Sequence, residues 1–344
     1  MERHSTRAGW SRQGLRHATT ERRGTDDLLA HAAALFPEGR RWCPACEAPV
    51  GRDRDGRPGR LRGTCAHCRR GFDLAPDLTP GTVLGGRWAV TGLLARGGDW
   101  LYTAEDRERG GTVVVARRRD GDAATPALLR GRGHPALVGL RDVVATAGAV
   151  HLVLDPVDGE QARGPLSPGD AAALVLGVLP AVGHLHRLGL LHADLKPSNV
   201  LRTPGGPVLV DLGSVRRLDD RVAPVWGTEG FLAPEIAPGG AGPSVASEVY
   251  ALGRTLAVLL GRPVRPHLAP RGPGETPTAL DPVITRATAA EPGLRHADVA
   301  ALATDLTAAL GMGGTDTDEA VHQDDPSRPA APAPAQAPRG AFPT

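Results

Sequence analysis

The chain of 344 residues is poor in aromatic side chains, at 3%, and holds only two methionines and four cysteines. Hydrophobic residues still make up 41%, ample for a packed core, so the bias toward Ala, Val, Leu, Gly and Arg reads as the mark of a GC-rich source genome more than as a fold signal. Net charge is also scarce: 40 basic against 38 acidic residues leave +2, so nothing in the balance calls for nucleic acid or an anionic membrane as partner. No long apolar run is present. The longest, residues 171–182, is interrupted by Gly177 and Pro180 and falls short of the roughly 20 residues that cross a bilayer, so no membrane span is expected. The amino end lacks the apolar core of a signal peptide, from which a cytoplasmic location is expected. In that reducing compartment, four cysteines in two close pairs point to a metal and away from disulfides.

The length exceeds what one ordinary domain needs and suggests a catalytic domain with small appendages. Residues 1–38 form a basic leader, with Arg3, Arg7, Arg12, Arg16, Arg22 and Arg23, expected to be disordered apart from a short helical candidate at 26–36. A metal module is expected over 39–75, and Pro76, Pro80 and Gly81 then mark a linker. Short β-like runs at 88–94, 100–106, 112–117, 138–144 and 150–154 predict a small antiparallel sheet. After Pro168 the period becomes helical over 169–188 and 247–260, with two strand-like pieces around Val200 and Leu209 between them. The class is α+β, a β-rich lobe followed by an α-rich lobe over 81–310. Residues 311–344 turn Asp-rich and then Pro/Ala-rich, the composition of a disordered tail. No internal repeat is visible.

Cys43-Pro44-Ala45-Cys46 and Cys65-Ala66-His67-Cys68 form two knuckles separated by eighteen residues, the spacing of a four-thiolate zinc ribbon. Thiolates suit zinc and iron alike, so a structural zinc and a rubredoxin-like iron or redox-sensing cluster both stay open. His67, between two cysteines, reads as a bystander.

The densest chemistry lies in His192-Ala193-Asp194-Leu195-Lys196-Pro197-Ser198-Asn199, followed twelve residues after Asn199 by Asp211-Leu212-Gly213. A carboxylate able to orient an attacking hydroxyl is followed two residues on by a Lys able to neutralise a transferring phosphoryl group. An amide and a second carboxylate then come where both can hold magnesium. This pattern resembles the catalytic loop and metal loop of the protein kinases, with Ala193 where Arg is usual and Leu212 where Phe is usual. The resemblance implies a two-lobed protein-kinase fold, with Asp194 as catalytic base, Lys196 as phosphate contact, and Asn199 and Asp211 as magnesium ligands. Lys two residues after the Asp is the Ser/Thr form.

Residues 227–235, Gly-Thr-Glu-Gly-Phe-Leu-Ala-Pro-Glu, resemble the end of a kinase activation segment, and 247–253, Ser-Glu-Val-Tyr-Ala-Leu-Gly, a kinase helix start with Glu248 in place of Asp. By that resemblance Thr228 hydrogen-bonds toward Asp194 and Lys196, and Glu235 pairs with Arg295.

On the nucleotide side, Gly97 and Gly98 occupy the place of the glycine-rich loop, with its third glycine missing. The third strand ends in Arg117 and Arg118, one of which stands for the phosphate-pairing Lys, an exchange that keeps the charge but not the compact ammonium. Helix C has little room, and the position of its Glu falls close to Thr125. Adenine contacts are expected from the backbone of Asp155 and Val157, after a gatekeeper Leu154.

A metal-knuckle module before a kinase domain, Ala95-Arg96-Gly97-Gly98 before the second strand and Thr255 in the large-lobe helix are similar to the actinobacterial protein kinase G family, which carries a rubredoxin-like domain. The similarity covers about residues 40–310, without that family's C-terminal helical repeats. It implies a Ser/Thr protein kinase using ATP, Mg²⁺ and Zn²⁺ (or Fe), acting on protein substrates, with a four-cysteine module that could regulate it. A pseudokinase binding nucleotide or a protein partner without efficient transfer stays open as the alternative. Oligomeric state is not legible.

Overall fold

The computed structural model describes residues 25–53, 56–96, 99–118, 121–220, 227–236, 242–264 and 277–312. The leader before residue 25, the tail after 312, and Gly97 with Gly98 lie outside the described residues.

The first element is a helix, α1 (Thr25–Leu35), at the place of the helical candidate. Leu28, Ala32 and Phe36, spaced four apart, are buried. The expectation that the leader stays disordered to residue 38 is therefore corrected: an apolar stripe docks this helix, and the edge of the Phe36 ring meets Trp100 at 6.2 Å between centroids. The polar stretch between the Cys knuckles is held by two side chains next to the helix. Arg41 donates to the carbonyls of Ala33, Phe36, Gly51 and Gly59 at 2.8–3.1 Å. Glu38 accepts from the amides of Asp53 and Gly59 at 2.5 and 2.6 Å. A small hairpin, β1 (Arg62–Thr64) and β2 (Gly71–Asp73), completes the module.

The small lobe is a six-stranded antiparallel sheet of β3 (Val83–Leu84), β4 (Trp88–Arg96), β5 (Trp100–Asp106), β6 (Thr112–Arg118), β7 (Leu140–Thr146) and β8 (Ala149–Leu154), in the order β3-β4-β5-β6-β8-β7. Alternation gives the sheet two buried faces. Val113, Val115, Val153 and Tyr102 join Cys43, Cys65, Phe36 and Trp100 in one apolar cluster, so the metal module covers the outer face. Val114, Ala116, Leu152 and Leu154 join the core of the large lobe through the inner face. A single helical turn, α2 (Ala124–Ala127), stands where a kinase has helix C, as the short spacing to His134 requires.

In the large lobe, β9 (Glu160–Gln161) precedes α3 (Pro168–Arg187). Ser167 caps α3, its hydroxyl accepting from the Asp170 amide at 3.1 Å. As the helical period over 169–188 predicts, α3 runs through both Gly177 and Pro180. A Cβ on Gly177 would come 2.3 Å from Pro207, so glycine lets the hairpin of β11 (Val200–Thr203) and β12 (Gly206–Leu209) approach. By length and composition α3 is apolar enough to cross a membrane, but half of it is buried, and it packs as the central helix of this lobe. The short strand β10 (Leu190–Leu191) pairs with β13 (Arg216–Arg217), and α4 (Val245–Leu259), α5 (Asp281–Ala287) and α6 (Val299–Met312) follow.

Arg295, with a side chain fully removed from solvent, makes a two-pronged pair with Glu235, both contacts at 2.7 Å, as the sequence implied. Glu235→Ala leaves that guanidinium buried without its carboxylate and is expected to cost about 3–5 kcal/mol, read as a lowered melting temperature.

Candidate active site

The turn after β10 brings three side chains into one hydrogen-bonded ring. The Asp194 carboxylate accepts from Lys196 Nζ at 2.7 Å and from Thr228 Oγ1 at 2.8 Å, and Lys196 Nζ also reaches Thr228 Oγ1 at 2.7 Å. The Asp194 side chain is 1% exposed. Burial pushes its pKa up, but the Lys196 charge and the hydrogen bonds from Lys196 and Thr228 outweigh that and hold it below the ordinary carboxylate value. It is thus ionised at neutral pH.

The loop is fastened from behind. Ala193 takes a left-handed φ of 63°, and its N–H donates to Glu248 Oε1 at 2.7 Å. The other Glu248 oxygen lies 2.7 Å from His186 Nε2, and His192 Nε2 lies 3.0 Å from the Val210 carbonyl. Glu248, longer by one methylene than the usual Asp, therefore still reaches the catalytic loop. The His186 contact gave no sequence signal beyond a histidine on the helix before the loop.

Asn199 donates from Nδ2 to the Asp194 carbonyl at 2.8 Å, which leaves its amide oxygen as a hard donor. Asp211 also has a left-handed φ, 66°, and its carboxylate accepts from the Gly213 amide at 3.2 Å. Oxygen donors of this kind suit magnesium.

On the nucleotide side the structure separates the two arginines. Arg117 pairs across β8 with His151 on the outer face, and its guanidinium lies 3.5 Å from Asp77 in the linker. Arg118 pairs with Val150 on the inner face and is 1% exposed at the side chain. Leu154 is fully buried. The Asp155 amide donates to the Gly139 carbonyl at 2.8 Å, so an adenine contact at this residue falls to its own carbonyl. The Asp155 carboxylate turns away to Arg141 at 2.5 Å. Val157 packs partly buried against the inner core.

The four cysteines converge: all four sulfurs lie within 4.8 Å of one another, and His67 is not among the clustered groups. Cys43 and Cys68, and Cys46 and Cys65, stand 3.7 Å apart at sulfur. A tetrahedral site with metal–sulfur bonds of about 2.3 Å needs sulfurs roughly 3.8 Å apart, so the cluster fits a four-thiolate ion. Hydrogen bonds from the Cys68 and His67 amides, opposed by burial, bring the Cys65 thiol down to about 6, which favours the thiolate.

Asp77 joins this module to the small lobe. It accepts from the Tyr102 hydroxyl at 2.5 Å, faces Arg117, and lies 3.9 Å from the buried His151. Burial works against its ionisation, but the nearby His151 ring and the hydrogen bond from Tyr102 bring its pKa down to about 2. Nothing in the sequence singles out Asp77, because its partners come from three strands.

The chain matches the protein kinase domain model over residues 126–270 and the protein kinase G rubredoxin domain model over residues 21–78. It is similar to the serine/threonine-protein kinase PknG of Mycolicibacterium smegmatis, 34% identical over 244 residues, covering 65% of this chain and 32% of that protein. The PknG of Mycobacterium leprae is 34% identical over 254 residues, covering 65% and 33%. A probable serine/threonine-protein kinase of Streptomyces coelicolor is 29% identical over 274 residues, covering 66% and 40%. The chain thus spans about a third of the length of the two PknG relatives. Its first described residues lie inside the rubredoxin match, which agrees with the docked α1. Sequence, geometry and both matches converge on one assignment: the chain carries a protein kinase domain preceded by a rubredoxin domain similar to that of protein kinase G.

Proposed function

We propose that the chain transfers the γ-phosphate of ATP to serine and threonine hydroxyls of protein substrates. The observation that carries this reading is the closed Asp194, Lys196 and Thr228 ring with the Asn199 amide tied to the same loop. Asp194, held ionised, orients the substrate hydroxyl and accepts its proton as the oxygen–phosphorus bond forms and the bond to the ADP oxygen breaks. Lys196 offsets charge on the transferring group, and Thr228 fixes the direction of both side chains. Asn199 and Asp211 would hold magnesium, which supplies charge neutralisation at the phosphates. Arg118, on the inner face, is the phosphate contact from the small lobe, and the Asp155 carbonyl and Val157 backbone receive adenine. The four-cysteine module holds zinc or iron.

The test is incubation of the chain with γ-labelled ATP, magnesium and a basic protein, followed by acid hydrolysis and identification of phosphoserine or phosphothreonine. A nucleotide-dependent rise in melting temperature with no label in protein selects binding without transfer instead.

Activation-segment phosphorylation has little to act on here. Ala193 removes the arginine that would grip a phosphate, and between Asp211 and Gly227 the only hydroxyl side chain is Ser214, which is buried at 8% exposure. Ser214→Glu is expected to leave the rate unchanged or lower it, and a rise in turnover of the charged variant speaks against this.

A further inference from the structure

In kinases with a strand–helix ion pair, the acid beside the third-strand base comes from helix C, which swings in and out. Here α2 is one turn long, and Thr125, where that acid would fall, is a buried neutral side chain. The carboxylate that faces Arg118 among the described residues comes from the connecting loop: Asp122 Oδ2 lies 3.6 Å from Arg118 Nη2, four residues along the chain. Asp122 is itself pinned, its Oδ1 accepting from the Ala124 amide at 2.8 Å and both oxygens lying 3.3 Å from the Thr125 amide. The pair also sits close to the metal loop. A Cβ on Gly213 would lie 3.6 Å from the Arg117 carbonyl, so the end of β6 rests on the loop that carries Asp211. Arg217, on the strand after that loop, lies within the field of Asp122.

We propose that Asp122 is a positioning residue of the nucleotide site, holding Arg118 toward the triphosphate from within the loop. It takes the part that a helix glutamate plays elsewhere. Because the two residues are four apart and the acid is fastened to backbone amides, the pair closes as the chain folds. No helix has to move to set it. The inference rests on the reading of this cleft as an ATP site, and it adds that the site is assembled permanently.

The experiment is titration calorimetry of the full chain with MgATP and, separately, with adenosine, which lacks phosphates. Wild type, Asp122→Asn, Arg118→Met and the double variant are compared. Asparagine caps a helix start as well as aspartate does, so Asp122→Asn removes the charge and spares the turn. Each single variant is expected to weaken MgATP about tenfold or more by lowering the fraction of chains with Arg118 poised, the double variant to bind no more weakly than Arg118→Met, and adenosine to bind all four alike. An Asp122→Asn chain that binds MgATP like wild type, or a double variant in which the losses add, overturns the proposal. A fall in adenosine affinity equal to that for MgATP overturns it too, since that marks general damage to the cleft. A wild-type chain that shows the expected pattern but transfers no phosphate refutes the kinase reading and leaves the pair standing; one with no affinity for MgATP refutes both.

Discussion

Asp211→Asn is expected to lower the rate of phosphate transfer by roughly a thousandfold while leaving the melting temperature almost unchanged. Metal assistance is worth several kcal/mol in the transition state, and each ~1.4 kcal/mol is a factor of ten in rate. The carboxylate leaves the fold little affected when it is replaced, because asparagine keeps an oxygen to accept the Gly213 amide that Asp211 now accepts at 3.2 Å. What is lost is the negative charge that, with the amide oxygen of Asn199, would hold magnesium. The measurement is kcat at saturating magnesium together with a thermal melt; a variant that retains wild-type turnover would place the metal elsewhere.

The second large effect concerns the cysteines. Structural ions in small four-cysteine modules contribute about 10–16 kcal/mol of apparent binding free energy, more than such a module's polar sequence can replace. The stretch between the knuckles has few apolar anchors, Val50 and Leu61 among them, and otherwise relies on Arg41 and Glu38 for its backbone hydrogen bonds. Chelation, or Cys65→Ser, is therefore expected to unfold residues 25–75 at a temperature well below that of the large lobe. The consequence reaches the small lobe, because Cys43 and Cys65 share one apolar cluster with Trp100, Tyr102, Val113 and Val115 on the outer face of the sheet. Differential scanning calorimetry should show a new low-temperature transition, and limited proteolysis should cut within the module. A single unshifted transition after the metal is removed would show that the ion is dispensable to the fold.

Much of this was legible because the catalytic chemistry is local in sequence. Asp194, Lys196 and Asn199 sit within six residues; the structure joins the first two to Thr228 in a hydrogen-bonded ring and ties Asn199 to the Asp194 carbonyl. The cysteine knuckles were equally readable, since two turns and a fixed gap are enough to bring four sulfurs together. The reduced helix C followed from spacing alone. Arg117 and Arg118 stayed ambiguous although strand parity could have separated them: Ala116 faces inward, and period two puts Arg118 on the same side. The buried face of α1 was also available in the spacing of Leu28, Ala32 and Phe36, but the arginines around it drew the reading toward disorder. Asp77 and Asp122 could not be read at all. One meets partners from three strands and the other works through a loop turn, and neither geometry leaves a pattern in the chain.

Whether Asp194 receives the proton of an attacking hydroxyl is decided by comparing the initial rate of label transfer from γ-labelled ATP to protein by the wild-type chain and by Asp194→Asn at equal MgATP occupancy. The geometry predicts Ser/Thr-linked label from wild type and a fall of about 10²–10⁴-fold in the variant, the range for loss of a positioned general base. Equal rates in the two chains would contradict it, as would a wild-type chain that binds MgATP and labels nothing.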